Sequence, residues 1–119
     1  MAYTEADVDA LLPLQPAAFH ILLALSGDER HGYGIINDVE TRTSGALRLS
    51  PGTLYRTIQR LVEERLIDEP RKPARPGDDP RRRYYRITPF GAAVVRAETI
   101  RLTELVRMAR GALRAAESS

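Results

Sequence analysis

Residues 49–66 read LSPGTLYRTIQRLVEERL, and the fold turns on this stretch. Ser50 has a hydroxyl able to cap free N–H groups, and Pro51 suits a first helical position because its missing N–H would be unpaired there in any case. A helix is therefore predicted to begin at Pro51. Leu54, Ile58, Leu61 and Val62 recur at i, i+4, i+7 and i+8, which places four apolar side chains on one buried stripe. Gly52, Thr53, Arg56 and Arg60 fall on the opposite side, with Tyr55 and Thr57 on the flanks. The outward face is small at its tip and cationic behind, while the acids Glu63 and Glu64 come only in the last turns.

Working outward, the preceding segment GYGIINDVETRT, residues 32–43, reads as a helix with Tyr33, Ile35, Ile36 and Val39 inward, ended by Ser44–Gly45. Leu47 and Leu49 alternate with Arg48 as a very short strand. Upstream, Pro16 opens an apolar helix that Gly27 stops. Thr4 and Asp7 resemble a capping box with Asp for Glu, opening an arm that Pro13 ends. Downstream, residues 66–69 and the run RRYYRIT form a hairpin around a Pro-, Gly- and charge-rich tip, with Tyr85 and Ile87 inward. Thr88 and Pro89 begin a last long helix. Its Val95, Leu102, Leu105, Val106, Ala109 and Leu113 lie near heptad spacing, a seam that calls for a partner helix, and its final residues read as frayed.

Helices, a turn, a third helix with a small cationic tip and a basic hairpin follow the order of a winged helix-turn-helix. The expected fold is mainly α with a small β-hairpin, divided into an arm (1–13), a winged helix-turn-helix (14–88) and a dimerisation helix (89–119). In that arrangement the helix starting at Pro51 enters the major groove of double-stranded DNA. Thr53 and Arg56 reach base edges, Gly52 admits close backbone approach, Ser50 bonds a phosphate and Arg60 meets the backbone one turn behind. Lys72, Arg75, Arg81, Arg82 and Arg83 make the wing cationic, suited to backbone or minor-groove contacts. Plainer readings stand beside these. Arg60 can pair with Glu63 or Glu64, Tyr55 can simply cover the core, and Asp78 and Asp79 can balance the wing as a solvated loop.

Composition narrows the alternatives. The 119 residues suffice for one core; Lys and Arg total 18 against 16 Asp and Glu, a formal net charge of +2, so any polyanion argument rests on charge placement. The chain contains no cysteine, which removes disulfide, thiolate and cysteine-zinc chemistry and fits a reducing cytoplasm. No apolar run is long enough to span a bilayer, and the acidic start is unlike a signal peptide. His20 and His31 stand without a triad, metal-ligand spacing or phosphate-cradling glycine loop, so neither catalysis nor a metal or other cofactor is expected.

The stretches HGYGI (31–35), LSPGTLYRTIQRLVEERLI (49–67) and RRYYRITPFG (82–91) resemble the PadR family of bacterial transcriptional regulators, in order and at family spacing. The resemblance implies a cytoplasmic homodimer on an inverted-repeat operator, usually a repressor, with the last helix crossing to the partner as in the family's smaller subclass. It passes the DNA-facing role to Ser50, Gly52, Thr53, Tyr55, Arg56 and the wing around Arg81 to Arg83, and adds a phosphate contact from His31. It also implies a small aromatic or hydrophobic effector. The chain has no tryptophan, so Phe19 and Phe90 are the expected lining of an effector pocket rather than an indole sandwich. The competing function on the same fold is a protein-docking module without specific DNA binding, which would carry exposed apolar or aromatic anchors on the outer face of 51–64.

Overall fold

A computed structural model describes residues 2–70 and 82–118. Its order is α1 (Glu5–Asp9), α2 (Pro16–Leu25), β1 (Arg30–His31), α3 (Gly32–Arg42), α4 (Pro51–Glu63), β2 (Ile67–Asp68), β3 (Tyr84–Ile87) and α5 (Pro89–Ser118). Helix starts follow the predicted caps. Thr4 and Asp7 close a reciprocal box, each side chain bonding the other's backbone N–H at 3.1 and 2.9 Å. The Ser50 hydroxyl accepts from the Thr53 N–H at 3.2 Å, and the Thr88 hydroxyl accepts from the Gly91 N–H at 3.0 Å.

Three strands form one antiparallel sheet in the order β1-β3-β2. Arg30 faces Tyr85 and His31 faces Tyr84, while Ile67 faces Ile87 and Asp68 faces Arg86. The last pair also joins through its side chains, Arg86 Nε donating to Asp68 Oδ1 at 2.7 Å. The core gathers on α2, whose Ile21, Leu22 and Ala24 are fully buried, and is completed by Ile35 and Val39 of α3, Leu54, Ile58 and Leu61 of α4, Leu66, Ile67, Tyr85 and Val94. An all-round apolar helix is buried because it has no polar face to offer water.

Four expectations need correction. Residues 46–50 form no strand; the edge of β3 is taken instead by β1, which precedes α3, leaving the linker anchored by the half-buried Leu47 and buried Leu49 side chains and by the Leu47 N–H, which donates to the Thr43 hydroxyl at 3.1 Å. Tyr33 points outward, 65% exposed, because Ile35 and Val39 at i and i+4 already define the inner stripe of α3. Val62 stands 40% exposed at the end of the α4 stripe, where it lines a cleft against the N-terminal arm instead of entering the core. The last residues of α5 are not frayed, since the helix continues to Ser118.

Candidate nucleic-acid interface

The tip of α4 is built from its cap outward. Besides accepting the Thr53 N–H, the Ser50 hydroxyl donates to the Thr53 hydroxyl at 3.1 Å, so the two side chains fix each other at the helix mouth. Gly52 is exposed, and no atom lies within 4 Å of the place a β-carbon would occupy. Leu54, Ile58 and Leu61 hold the other side of the helix in the core, which aims this tip into solvent.

Tyr55 and Arg56 leave the tip on opposite flanks. Tyr55 leans toward the start of α3, where its hydroxyl lies over Gly32, and is still about half exposed. Its phenol end thus packs against the backbone at Gly32 while about half of the residue stays exposed. Arg56 is exposed beside a shallow cleft that also includes Pro13, Ala17 and Arg60. Arg60 pairs with Glu64 through Nε at 3.1 Å, the ion pair foreseen as its plainer role. An exposed pair one helical turn apart contributes little and exchanges readily for another anion.

The sheet brings a second set of donors to the Tyr55 flank. His31 caps α3 by accepting the Gly34 N–H on Nδ1 at 3.0 Å, its ring meets Tyr84 edge-on at 5.5 Å, and its Nε2 lies 3.3 Å from Arg82. Arg30, His31, Tyr33, Asn37, Thr41 and Arg82 line one open groove there together with Asp38, which pairs with Arg30 at 3.3 Å. Arg83 is exposed but pairs with Glu69 at 3.0 Å. Lys72, Arg75 and Arg81 lie outside the described residues. Behind this surface, burial pushes the Tyr85 phenol above its ordinary value, with Glu69 adding to the effect, so Tyr85 stays protonated as a core residue.

Sequence reasoning missed Tyr33, Asn37 and Thr41 as a surface set. They stand at i, i+4 and i+8, a polar stripe that would have emerged had Ile35 and Val39 been taken as the buried pair. It also missed Arg30, which sits at the groove because a two-residue strand carries no alternation to read. Phe19 and Phe90 do not share a pocket. Phe19 lines a groove between α2 and α5 with Leu102 and Val106, whereas Phe90 lines a cleft against the arm. Among the described residues no cluster of His, Asp and Glu could hold a metal, and no helix is long and apolar enough to cross a membrane.

A family model for the Transcriptional regulator PadR-like family matches residues 21–97, more than half of the chain. The chain belongs to that family. It is thus a member of a group of transcriptional regulators, not of an enzyme family. Among its relatives, the transcriptional regulator Rv3488 of Mycobacterium tuberculosis is 34% identical over 92 residues, covering 77% of this chain and 80% of the relative. Its winged-helix architecture matches that of a transcriptional regulator from Clostridium thermocellum with a TM-score of 0.68, at 21% identity, over 92% of this chain and 97% of the other. Bacillus subtilis PadR, solved in complex with operator DNA, matches at 20% identity with a TM-score of 0.63, over 74% of this PadR-like chain and 49% of that one.

Proposed function

We propose that this PadR-like chain is a sequence-specific DNA-binding repressor that acts as a homodimer on an inverted-repeat operator and is released by a small aromatic or hydrophobic effector. The observation that carries the reading is the tip of α4: a capped helix start with Gly52, Thr53 and Arg56 turned to solvent and a groove containing Arg30 and Arg82 on its flank. Such a tip fits the major groove, with Thr53 and Arg56 at base edges, Ser50 and Tyr55 at phosphates, and Arg60 exchanging Glu64 for the backbone. Arg82 and Arg83, together with Lys72 and Arg81, supply the sequence-independent share of affinity. Residues 1–13 serve as an arm, 14–88 as the DNA-binding unit and 89–119 as the dimerisation helix. Leu105, Val106 and Leu113, exposed on α5, support a second copy as the partner, with Val95, Leu102 and Ala109 continuing the seam. A symmetric pair of recognition helices would read half-sites about 10 base pairs apart.

Tyr33 and Tyr55, both exposed on this face, favour a second reading: a docking surface for another protein, anchored by the two aromatic rings. One assay separates the two. The purified protein is titrated into a labelled duplex of its own upstream region at two salt concentrations, with random duplex as competitor. Saturable binding that survives competition and weakens steeply with salt supports the repressor. Weak binding equal for both duplexes would overturn it and leave the docking module.

A further inference from the structure

A cleft of about 730 Å³ lies between the N-terminal arm and the base of the wing. Its size falls within the range that holds a small organic molecule. Tyr3 and Phe90 form its aromatic side, ring centroids 5.2 Å apart and tilted by 43°, and Val62 and Ile67 add apolar surface. This explains Val62: the α4 stripe runs one residue past the core because that residue faces the cleft instead.

The two sides of the cleft are held differently. On the wing side the Thr88 hydroxyl donates to the carbonyls of Arg65 at 2.7 Å and Leu66 at 3.1 Å, and the Thr88 N–H adds a bond to the Leu66 carbonyl at 3.0 Å. That side is fixed. The arm side is a five-residue helix with a single buried residue, Val8. A helix this short is held by its contacts rather than by its own turns, so it can close over a guest.

Charge selects the guest. Of the carboxylates lining the cleft, Glu64 is matched by Arg60 and Asp68 by Arg86. Asp7 accepts only the backbone N–H of Thr4, at 2.9 Å, and among the described residues no cation forms an ion pair with it. Arg65 shares the lining but does not pair with Asp7; an aromatic side beside a carboxylate that has no ion-pair partner among the described residues suits a flat ring that carries an ammonium group.

We propose that this cleft is a binding site for an aromatic amine, its ring against Tyr3, Phe90 and Val62 and its ammonium on Asp7. The inference names the effector in the function proposed above and rests on that reading only for its consequence at DNA. The binding itself stands apart.

The test uses tryptamine, with indole-3-acetate as the same ring bearing the opposite charge. Because the protein contains no tryptophan, indole emission excited beyond tyrosine absorption reports the ligand alone. In the full-length protein without DNA, tryptamine is expected to saturate and to bind at least about tenfold more tightly than indole-3-acetate. Asp7→Asn should erase that preference, Phe90→Leu should weaken both ligands, and Phe19→Ala in the α2–α5 groove should change neither. Unaltered circular dichroism identifies the variants that remain folded. The proposal is overturned if tryptamine does not saturate, if Asp7→Asn keeps the preference, or if Phe19→Ala is the variant that removes binding. Titration without DNA keeps these outcomes separate from any failure to bind an operator.

Discussion

The hydroxyl of Tyr55 occupies the space in which Gly32 would otherwise carry a side chain: a β-carbon there would lie 2.5 Å from the phenol oxygen and 3.0 Å from the ring carbon bearing it. The start of α3 and the flank of α4 are thus fitted to each other at one point. Tyr55 is half exposed, so its tip can swing away, and Gly32→Ala should alter stability by less than about 1 kcal/mol while displacing the phenol. At Gly91 nothing can swing. An added β-carbon would run into the backbone carbonyl of Leu66 and lie 2.8 Å from Cγ1 of Ile87, so Gly91→Ala should cost about 3 kcal/mol. Urea denaturation followed by circular dichroism compares the two directly. Equal losses would show that the Tyr55 ring is as fixed as the Leu66 backbone.

The wing arginines, alike in sequence, should differ in their effect on DNA binding. Arg83 already faces Glu69, while Arg82 reaches the His31 ring beside the groove of α3. Replacing Arg82 by Ala should flatten the slope of log affinity against log salt by about one unit, and Arg83→Ala by less, with all sequences affected alike. Arg56→Ala should instead cost about 1–3 kcal/mol on the operator and relax choice at one base pair per half-site. Identical behaviour of Arg56→Ala and Arg82→Ala across sequences and salt would refute this division of labour.

A carboxylate that sequence reasoning passed over ties the arm junction to α5. Glu98, 2% exposed, accepts the Leu14 N–H on Oε2 at 2.7 Å and pairs with Arg101 through Oε1. The Arg101 hydrogen bond, against opposition from burial and with help from Leu14, holds the Glu98 carboxyl below its ordinary value of 4.5. A depressed carboxylate contributes stability that is present above its unfolded value and lost as pH falls through its folded one. Stability measured by urea titration should therefore decline on the acid side of 4.5, and Glu98→Gln should flatten that decline. Glu98→Ala, which leaves the Leu14 N–H without its acceptor, should cost about 1–3 kcal/mol. An unchanged acid profile in Glu98→Gln would assign the decline to other carboxylates.

These differences mark where local sequence could be read. Ser50, Pro51, Thr88 and Pro89 announce helix starts because capping is settled within one turn, and α4 declares its inner stripe because Leu54, Ile58 and Leu61 repeat at the helical period. Arg30 and His31 announce nothing, since their strand exists only as backbone pairing with Tyr84 and Tyr85, far along the chain. Glu98 was illegible for the same reason: its partner N–H lies 84 residues away. The candidate interface divides similarly. Its α4 half followed from spacing, whereas the groove around Tyr33 and Arg82 depends on how β1 docks on β3.

The seam on α5 is best tested where the single chain has least to lose. Leu102 lines the groove beside Phe19 within one chain, so a charge there could disturb folding as well as assembly. Leu105 is 47% exposed and Leu113 62%, and neither belongs to the core of the protomer. Glutamate at Leu105 or Leu113 should therefore leave helical content and the urea midpoint of the isolated chain nearly unchanged while opposing burial against a second helix. Light scattering with size-exclusion chromatography should give a dimer for the parent protein and a folded monomer for Leu105→Glu. Operator affinity should fall with the dimer, because one recognition helix then holds a half-site alone. A monodisperse, folded dimer carrying either glutamate would move the interface off this stripe of α5.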